Sequence, residues 1–260
     1  MNTFQTNDGT HLAYEQHGSG EKALVFIHGA CLNRNAWQPQ RSALAGRSYL
    51  LLDLRGHGQS DRRGYPYRIA TFADDVVQLL THLRWKQVTL VGHSLGGMVA
   101  QYVATYYPDM VARLVLADTS YGMRSTRVES WLTTATLPLF NLTPVSWQAK
   151  LFANQLGQRS EETKRYVGRT VGQHVHDPKN YRQIWKAVTS FDGFDDLDKI
   201  SVPTLIVVGA LNQQTHRQAQ RMNERITGSR WVVIRNAGYL LSWDNSEQFN
   251  RVLLSFITQS

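Results

Sequence analysis

Gln87-Val88-Thr89-Leu90-Val91-Gly92-His93-Ser94-Leu95-Gly96-Gly97-Met98-Val99-Ala100-Gln101-Tyr102-Val103-Ala104 joins an apolar, β-branched run to a run of small and helix-compatible residues through one serine. The pattern Gly92-His93-Ser94-Leu95-Gly96 reads as a nucleophile elbow, a strand-to-helix turn that lifts the serine hydroxyl out of a sheet. The flanking glycines have a steric reason: in so tight a turn, a Cβ two residues either side of Ser94 has nowhere to go.

Working outward, the chain alternates strands and helices. Thr3 to Thr6 and His11 to Glu15 flank Asn7-Asp8-Gly9-Thr10 and predict an opening antiparallel hairpin with its turn at Asp8-Gly9. Ala23 to Ile27 and Ser48 to Asp53 are continuous apolar runs, as strands buried on both faces require. Ala73 to Leu83 carries helical spacing, with Asp74 and Asp75 expected in the first turn where the helix dipole favours acids. The elbow helix stops at Tyr107-Pro108, and Val111 to Ala117 returns as a strand. Val202 to Gly209 and Ser229 to Ile234 supply later strands, and Ser246 to Ile257 reads as a closing helix with Ser246 as N-cap. This alternation implies an α/β fold, a mostly parallel sheet with helices on both faces. Residues 121–199 break the rhythm with prolines and many aromatics, and read as a helical cap inserted into a core formed by 1–120 and 200–260.

With 260 residues the chain is long enough for one large core. Lys and Arg exceed Asp and Glu by 28 to 20, but the basic residues are scattered, so the net charge of +8 reads as a solvated surface rather than a nucleic-acid footprint. Cys31 is the only cysteine, which excludes an intrachain disulfide, and residues 1–20 contain no apolar core of a secretory signal. No apolar stretch approaches the roughly 18 residues of a membrane span. The expectation is a cytoplasmic protein without membrane or nucleic-acid partners.

The whole arrangement resembles the α/β-hydrolase fold family, in particular its small capped esterases, enol-lactonases and related C–C and C–O hydrolases. The resemblance rests on His28-Gly29 after the third strand, Asp53-Leu54-Arg55-Gly56-His57-Gly58-Gln59-Ser60, the Ser94 elbow, Val202-Pro203-Thr204 and Asn236-Ala237-Gly238. It implies a Ser94 nucleophile and an oxyanion hole made by the backbone N–H groups of Ala30 and Leu95. Such a donor is typically worth about 3 kcal/mol to a developing oxyanion. It also implies a carboxylate in the loop after the Val202–Gly209 strand and a histidine just after the last strand's glycine. Those positions hold Asn212 and Tyr239.

Both partners of the serine are therefore replaced. An asparagine cannot stabilise an imidazolium by charge, and that exchange in a triad costs on the order of 10⁴ in rate. A phenol, with a pKa near 10, carries too little phenolate at neutral pH to act as a base. No other histidine fills the gap in the sequence: His93 is expected to point under the elbow, His28 and His57 belong to glycine motifs, and His216 reads as an exposed helix start. Asp118, after the Val111–Ala117 strand, occupies a position from which some members of the family present an alternative acid, but with no histidine to orient it reads as a loop carboxylate; Cys31 reads as a small buried residue. His174-Val175-His176, two histidines at strand spacing before the turn Asp177-Pro178, gives no metal site.

The sequence thus points to an ester or lactone hydrolase with impaired turnover, acting through Ser94 beside Asn212 and Tyr239, without cofactor or metal. A ligand-binding or sensor protein on the same fold is one alternative; proton-transfer chemistry by Tyr239 is another. The aromatic cap favours a medium-sized apolar ester or lactone, with Trp131, Phe140, Trp147 and Trp185 as substrate-binding residues.

Overall fold

The computed structural model describes residues 1–18, 22–122, 143–156 and 160–258. Among them, eight strands form one sheet in the order β1-β2-β4-β3-β5-β6-β7-β8. The hairpin of β1 (Asn2–Gln5) and β2 (His11–His17) is antiparallel, and β2 also runs antiparallel to β4 (Tyr49–Leu52). From β4 onward every neighbour is parallel: β3 (Leu24–Ile27), β5 (Val88–His93), β6 (Val111–Ala117), β7 (Thr204–Gly209) and β8 (Arg230–Ile234). All residues of β3, β4, β5 and β7 are buried, which is why these segments lack the polar alternation of a one-sided sheet. Because β3 and β5 to β8 are parallel, the loops that follow them gather at one edge.

Two helices on the core correct the sequence reading. Helix α1 spans Ile69–His82, four residues earlier than the periodicity suggested, so Asp74 and Asp75 lie beyond its first turn. Tertiary partners rather than the dipole account for them. Asp75 is buried and takes Arg55 Nε and Nη2 at 2.5 Å each, while Asp74 accepts from the Tyr107 hydroxyl at 2.7 Å. At the closing helix, Ser246–Thr258, the cap is Asn245, whose Oδ1 accepts the Gln248 N–H at 3.1 Å; Ser246 is already helical.

The loop after β4 is held by buried charge. Asp53 receives the Arg34 and Gln59 N–H groups at 2.7 and 2.9 Å and Arg34 Nη1 at 2.5 Å. His28 links the ends of β3 and β4: its Nδ1 donates to Gly29 O at 2.8 Å and its Nε2 accepts from Leu54 N at 3.1 Å. Burial lowers its pKa to about 3, so it stays neutral, and His57, which donates to Arg55 O, is lowered well below the usual imidazole range, by burial first.

Among the described residues, three α-helices lie between β6 and β7: α3 (Val145–Leu156), α4 (Glu161–Val175) and α5 (Pro178–Ser190). His174 is therefore in the last turn of a helix, not a strand, and Asp177 caps α5 by accepting the Asn180 N–H at 3.0 Å. The insertion is tied to the loops after β3 and β4. The Tyr166 ring stacks on Trp243 at 4.7 Å, and its hydroxyl reaches Asn33. Asn180 Nδ2 donates to Gly56 O at 2.7 Å and its Oδ1 accepts from the Tyr67 hydroxyl at 3.0 Å. No helix among the described residues is long and apolar enough to cross a membrane.

Candidate active site

Ser94 stands between β5 and helix α2 (Leu95–Tyr106) with φ 52° and ψ −118°, a conformation that L-residues avoid. The sterics around it enforce this. A Cβ on Gly92 would lie 2.3 Å from Gly96 O, and one on Gly96 would lie 2.1 Å from Ile27 O. The turn is closed by Ser94 N–H on Ala117 O, and the Ser94 carbonyl accepts from Gly97 N, Met98 N and the Thr119 hydroxyl. The serine side chain is nine-tenths buried, with the residue 9% exposed.

The loop after β3 passes directly beside it: a Cβ on Gly29 would come within 3.2 Å of Ser94 Cβ. Ala30 follows, buried, before Cys31 at φ 59°. Leu95 is the first residue of α2, so its N–H has no carbonyl within the helix to bond. Cys31 is fully buried, and burial pushes its thiol pKa well above the ordinary range, which makes it unreactive.

The loops after β7 and β8 are stitched together. A Cβ on Gly209 would meet Gly238 O at 2.1 Å, and Ala210 N and Leu211 N donate to Ile234 O and Ala237 O at 2.9 Å each. Gly238 N donates to Asp244 Oδ2 at 2.8 Å, and His93 Nε2 donates to Tyr239 O at 2.9 Å. These bonds present the Tyr239 side chain to the elbow, where its hydroxyl donates to Ser94 Oγ in a short hydrogen bond. Two residues 145 positions apart in sequence thus meet at one atom.

Among the described residues Asn212 bonds neither Ser94 nor Tyr239 but Asp118. Its Nδ2 donates to Asp118 Oδ1 at 3.1 Å and to Thr215 Oγ1 at 3.0 Å. Asp118 also accepts the Thr215 hydroxyl at 2.7 Å and the Gly209 N–H at 3.3 Å. Far from being a loop carboxylate, Asp118 is fully buried, with φ 37°. The strand end turns its side chain inward under the β7 loop. Burial raises its pKa to about 8 against the opposing donors, so at neutral pH it is mainly protonated. Sequence reasoning undervalued it; the available signal was Asp118 directly after β6 together with Thr215 three residues beyond Asn212.

The Tyr239 phenol is pushed up to about 12, by burial first, with the Ser94 bond opposing and the nearby Asp118 charge adding. It is a donor, not a base. His93 is lowered to about 4 by burial. His216 is occupied differently from the exposed helix start expected: it is half-buried at the start of helix α6 (Gln213–Arg225), and its Nε2 lies 3.0 Å from Gly209 O. Only a protonated Nε2 can make that bond.

Of the expected wall, Trp185 is half-buried, edge-on to Phe152 at 5.0 Å and beside Tyr181 at 6.2 Å. Trp147 is 72% exposed, because α3 buries the face of Val145, Gln148 and Ala149 and turns position 147 to the opposite side. Trp131 and Phe140 lie outside the described residues. Among the described residues, no group of three His, Cys, Asp or Glu side chains is placed to hold a metal ion.

The family model described as alpha/beta hydrolase fold matches residues 22–246. This chain belongs to the α/β-hydrolase fold family. It is 27% identical over 248 residues to 3-oxoadipate enol-lactonase 2 of Acinetobacter baylyi, covering 93% of this chain and 91% of that protein. Similarity to a non-heme chloroperoxidase of Kitasatospora aureofaciens is 28% over 290 residues, covering 98% of both. Among solved structures, an esterase from Exiguobacterium antarcticum superposes with a TM-score of 0.86 at 27% identity over 99% of both chains. These relatives place the chain among α/β-hydrolases with diverse names.

Proposed function

We propose that this chain is a serine-centred α/β-hydrolase that accepts apolar carboxylic esters or lactones at Ser94 and turns them over slowly. The single observation that carries the reading is the Tyr239 hydroxyl bonded to Ser94 Oγ, where a general base is needed. Attack on a carbonyl requires the serine proton to leave, and a phenol whose pKa is about 12 does not take it at neutral pH. What remains are the parts that bind: the elbow, the Ala30 and Leu95 backbone donors as oxyanion hole, and an apolar cap over residues 121–199 whose Trp185 side chain helps to line the substrate pocket.

The test is hydrolysis of p-nitrophenyl butyrate by the unmodified chain and by Ser94→Ala. Removing the serine from an intact triad costs about 10⁶ in kcat. Here the expected loss is less than about tenfold, because an unactivated serine contributes little. A loss of 10⁴ or more would show an active base and refute the reading.

A further inference from the structure

The hydrogen-bond polarity at Ser94 is the reverse of what a hydrolase needs, and that reversal selects a ligand. In the hydroxyl pair, the phenol is the stronger acid and the alcohol oxygen the better acceptor, so Tyr239 donates and Ser94 Oγ accepts. Among the described residues Ser94 Oγ has this one hydrogen-bond partner, although the side chain is nine-tenths buried. Its own proton is left to point away from Tyr239. In an active triad the serine proton goes to imidazole and an oxygen lone pair faces the carbonyl carbon. Here one lone pair accepts from Tyr239 and the Ser94 proton, with no imidazole to take it, is free to be donated to a ligand acceptor.

From this geometry we infer that the Ser94 centre is a receptor for the carboxylate of an apolar monocarboxylic acid, and prefers the acid anion to its ester. The inference rests on the reading above that the pocket still binds. The anion's acceptors would meet the Ser94 O–H and the backbone N–H groups of Leu95 and Ala30. Bonds to an ionised acceptor are roughly twice as strong as those to a neutral ester carbonyl. Among the described residues beside Ser94, Tyr239 and His93 are neutral and burial holds Asp118 toward its protonated form; a further carboxylate nearby, Asp244, is turned to the Gly238 N–H. The half-buried Trp185, packed against Phe152 and Tyr181 and in contact with Cys31 next to Ala30, would offer apolar contact for the tail.

Isothermal titration at pH 7 with 4-phenylbutyrate and methyl 4-phenylbutyrate, a matched anion and ester, tests this. The acid anion is expected to bind at least tenfold more tightly than the ester. Ser94→Ala should weaken the anion by about tenfold or more while changing the ester less than threefold, with circular dichroism confirming the fold. Tyr239→Phe should bring the two ligands toward parity, since without the Tyr239 donor nothing fixes the Ser94 O–H toward the ligand. Equal or tighter binding of the ester to the unmodified chain, or an anion affinity indifferent to Ser94→Ala, would overturn the inference while leaving the pocket reading intact. Failure of both ligands to bind would instead refute the pocket reading, and the inference with it.

Discussion

Restoring both missing partners, Asn212→Asp with Tyr239→His, should convert the centre into an active triad, and the structure says why neither change suffices alone. Asn212 Nδ2 lies 3.1 Å from Asp118 Oδ1, so an aspartate at 212 would put two carboxyl groups in hydrogen-bond contact. Such a pair shares one proton. Asp118, raised to about 8 and already mainly protonated, supplies it, and the pair carries one negative charge to support an imidazolium at 239. With Asn212→Asp alone, that charge faces a phenol that cannot take a proton. With Tyr239→His alone, the imidazole meets an amide and a mostly neutral carboxyl, the situation in which a triad loses on the order of 10⁴ in rate.

The expected gain for the double variant is roughly 10³ to 10⁶ in kcat, equivalent to about 4 to 8 kcal/mol of transition-state stabilisation at 1.36 kcal/mol per tenfold. The assay is kcat for p-nitrophenyl butyrate across the four combinations, each paired with its Ser94→Ala counterpart. The gain should vanish in the Ser94→Ala background. Rapid, Ser94-dependent turnover by the unmodified chain would refute the argument, as would a double variant that is folded by circular dichroism yet no faster than the single ones.

Four further outcomes concern stability. Gly96→Ala should prevent soluble folding or cost more than about 4 kcal/mol, because its Cβ would meet backbone at 2.1 Å, whereas Gly168→Ala, with open space around it in α4, should stabilise by about 0.5 to 1 kcal/mol in urea denaturation. Asp75→Asn breaks the buried pair with Arg55 and should lower the unfolding free energy by about 3 to 5 kcal/mol, read from the denaturant midpoint at constant slope. Asp118 has a folded pKa of about 8 against 3.8 as its ordinary value, so the folded state holds the extra proton between those limits. Its stabilising contribution is full below about pH 4 and is lost as pH rises through 8, and denaturant midpoints at pH 5, 7 and 8.5 should fall more steeply in the unmodified chain than in Asp118→Asn.

What was legible in the sequence is what local sterics and periodicity control. The Ser94 elbow is readable because the clash of a Gly92 Cβ with Gly96 is a property of the turn itself, while the Gly96 requirement comes from its close approach to the end of β3 at Ile27. The parallel strands are readable because burial on both faces removes polar residues from a contiguous run. The juxtaposition of Tyr239 with Ser94 followed from the resemblance, and it holds in the structure because Gly209, without a Cβ, lets the β7 loop touch the β8 loop at Ala237 and Gly238.

Misreadings arose where a distant partner overrides a local preference. Asp74 and Asp75 look like first-turn acids until Arg55 and Tyr107, neither of them neighbours in sequence, are seen to hold them. Asn245 and Ser246 are both cap residues by type, and only the direction of one side chain toward Gln248 N–H distinguishes them. Asp118 is the consequential case. Its meaning depends on Gly209, Asn212 and Thr215, more than ninety residues away, and on complete burial, which no local pattern encodes. Burial pushes a residue that is anionic by type toward its neutral form, and the proposed reading turns on that shift: with Asp118 held toward the protonated state and Tyr239 a donor, no group among the described residues facing Ser94 is set to take its proton, which is why slow turnover with retained binding is proposed.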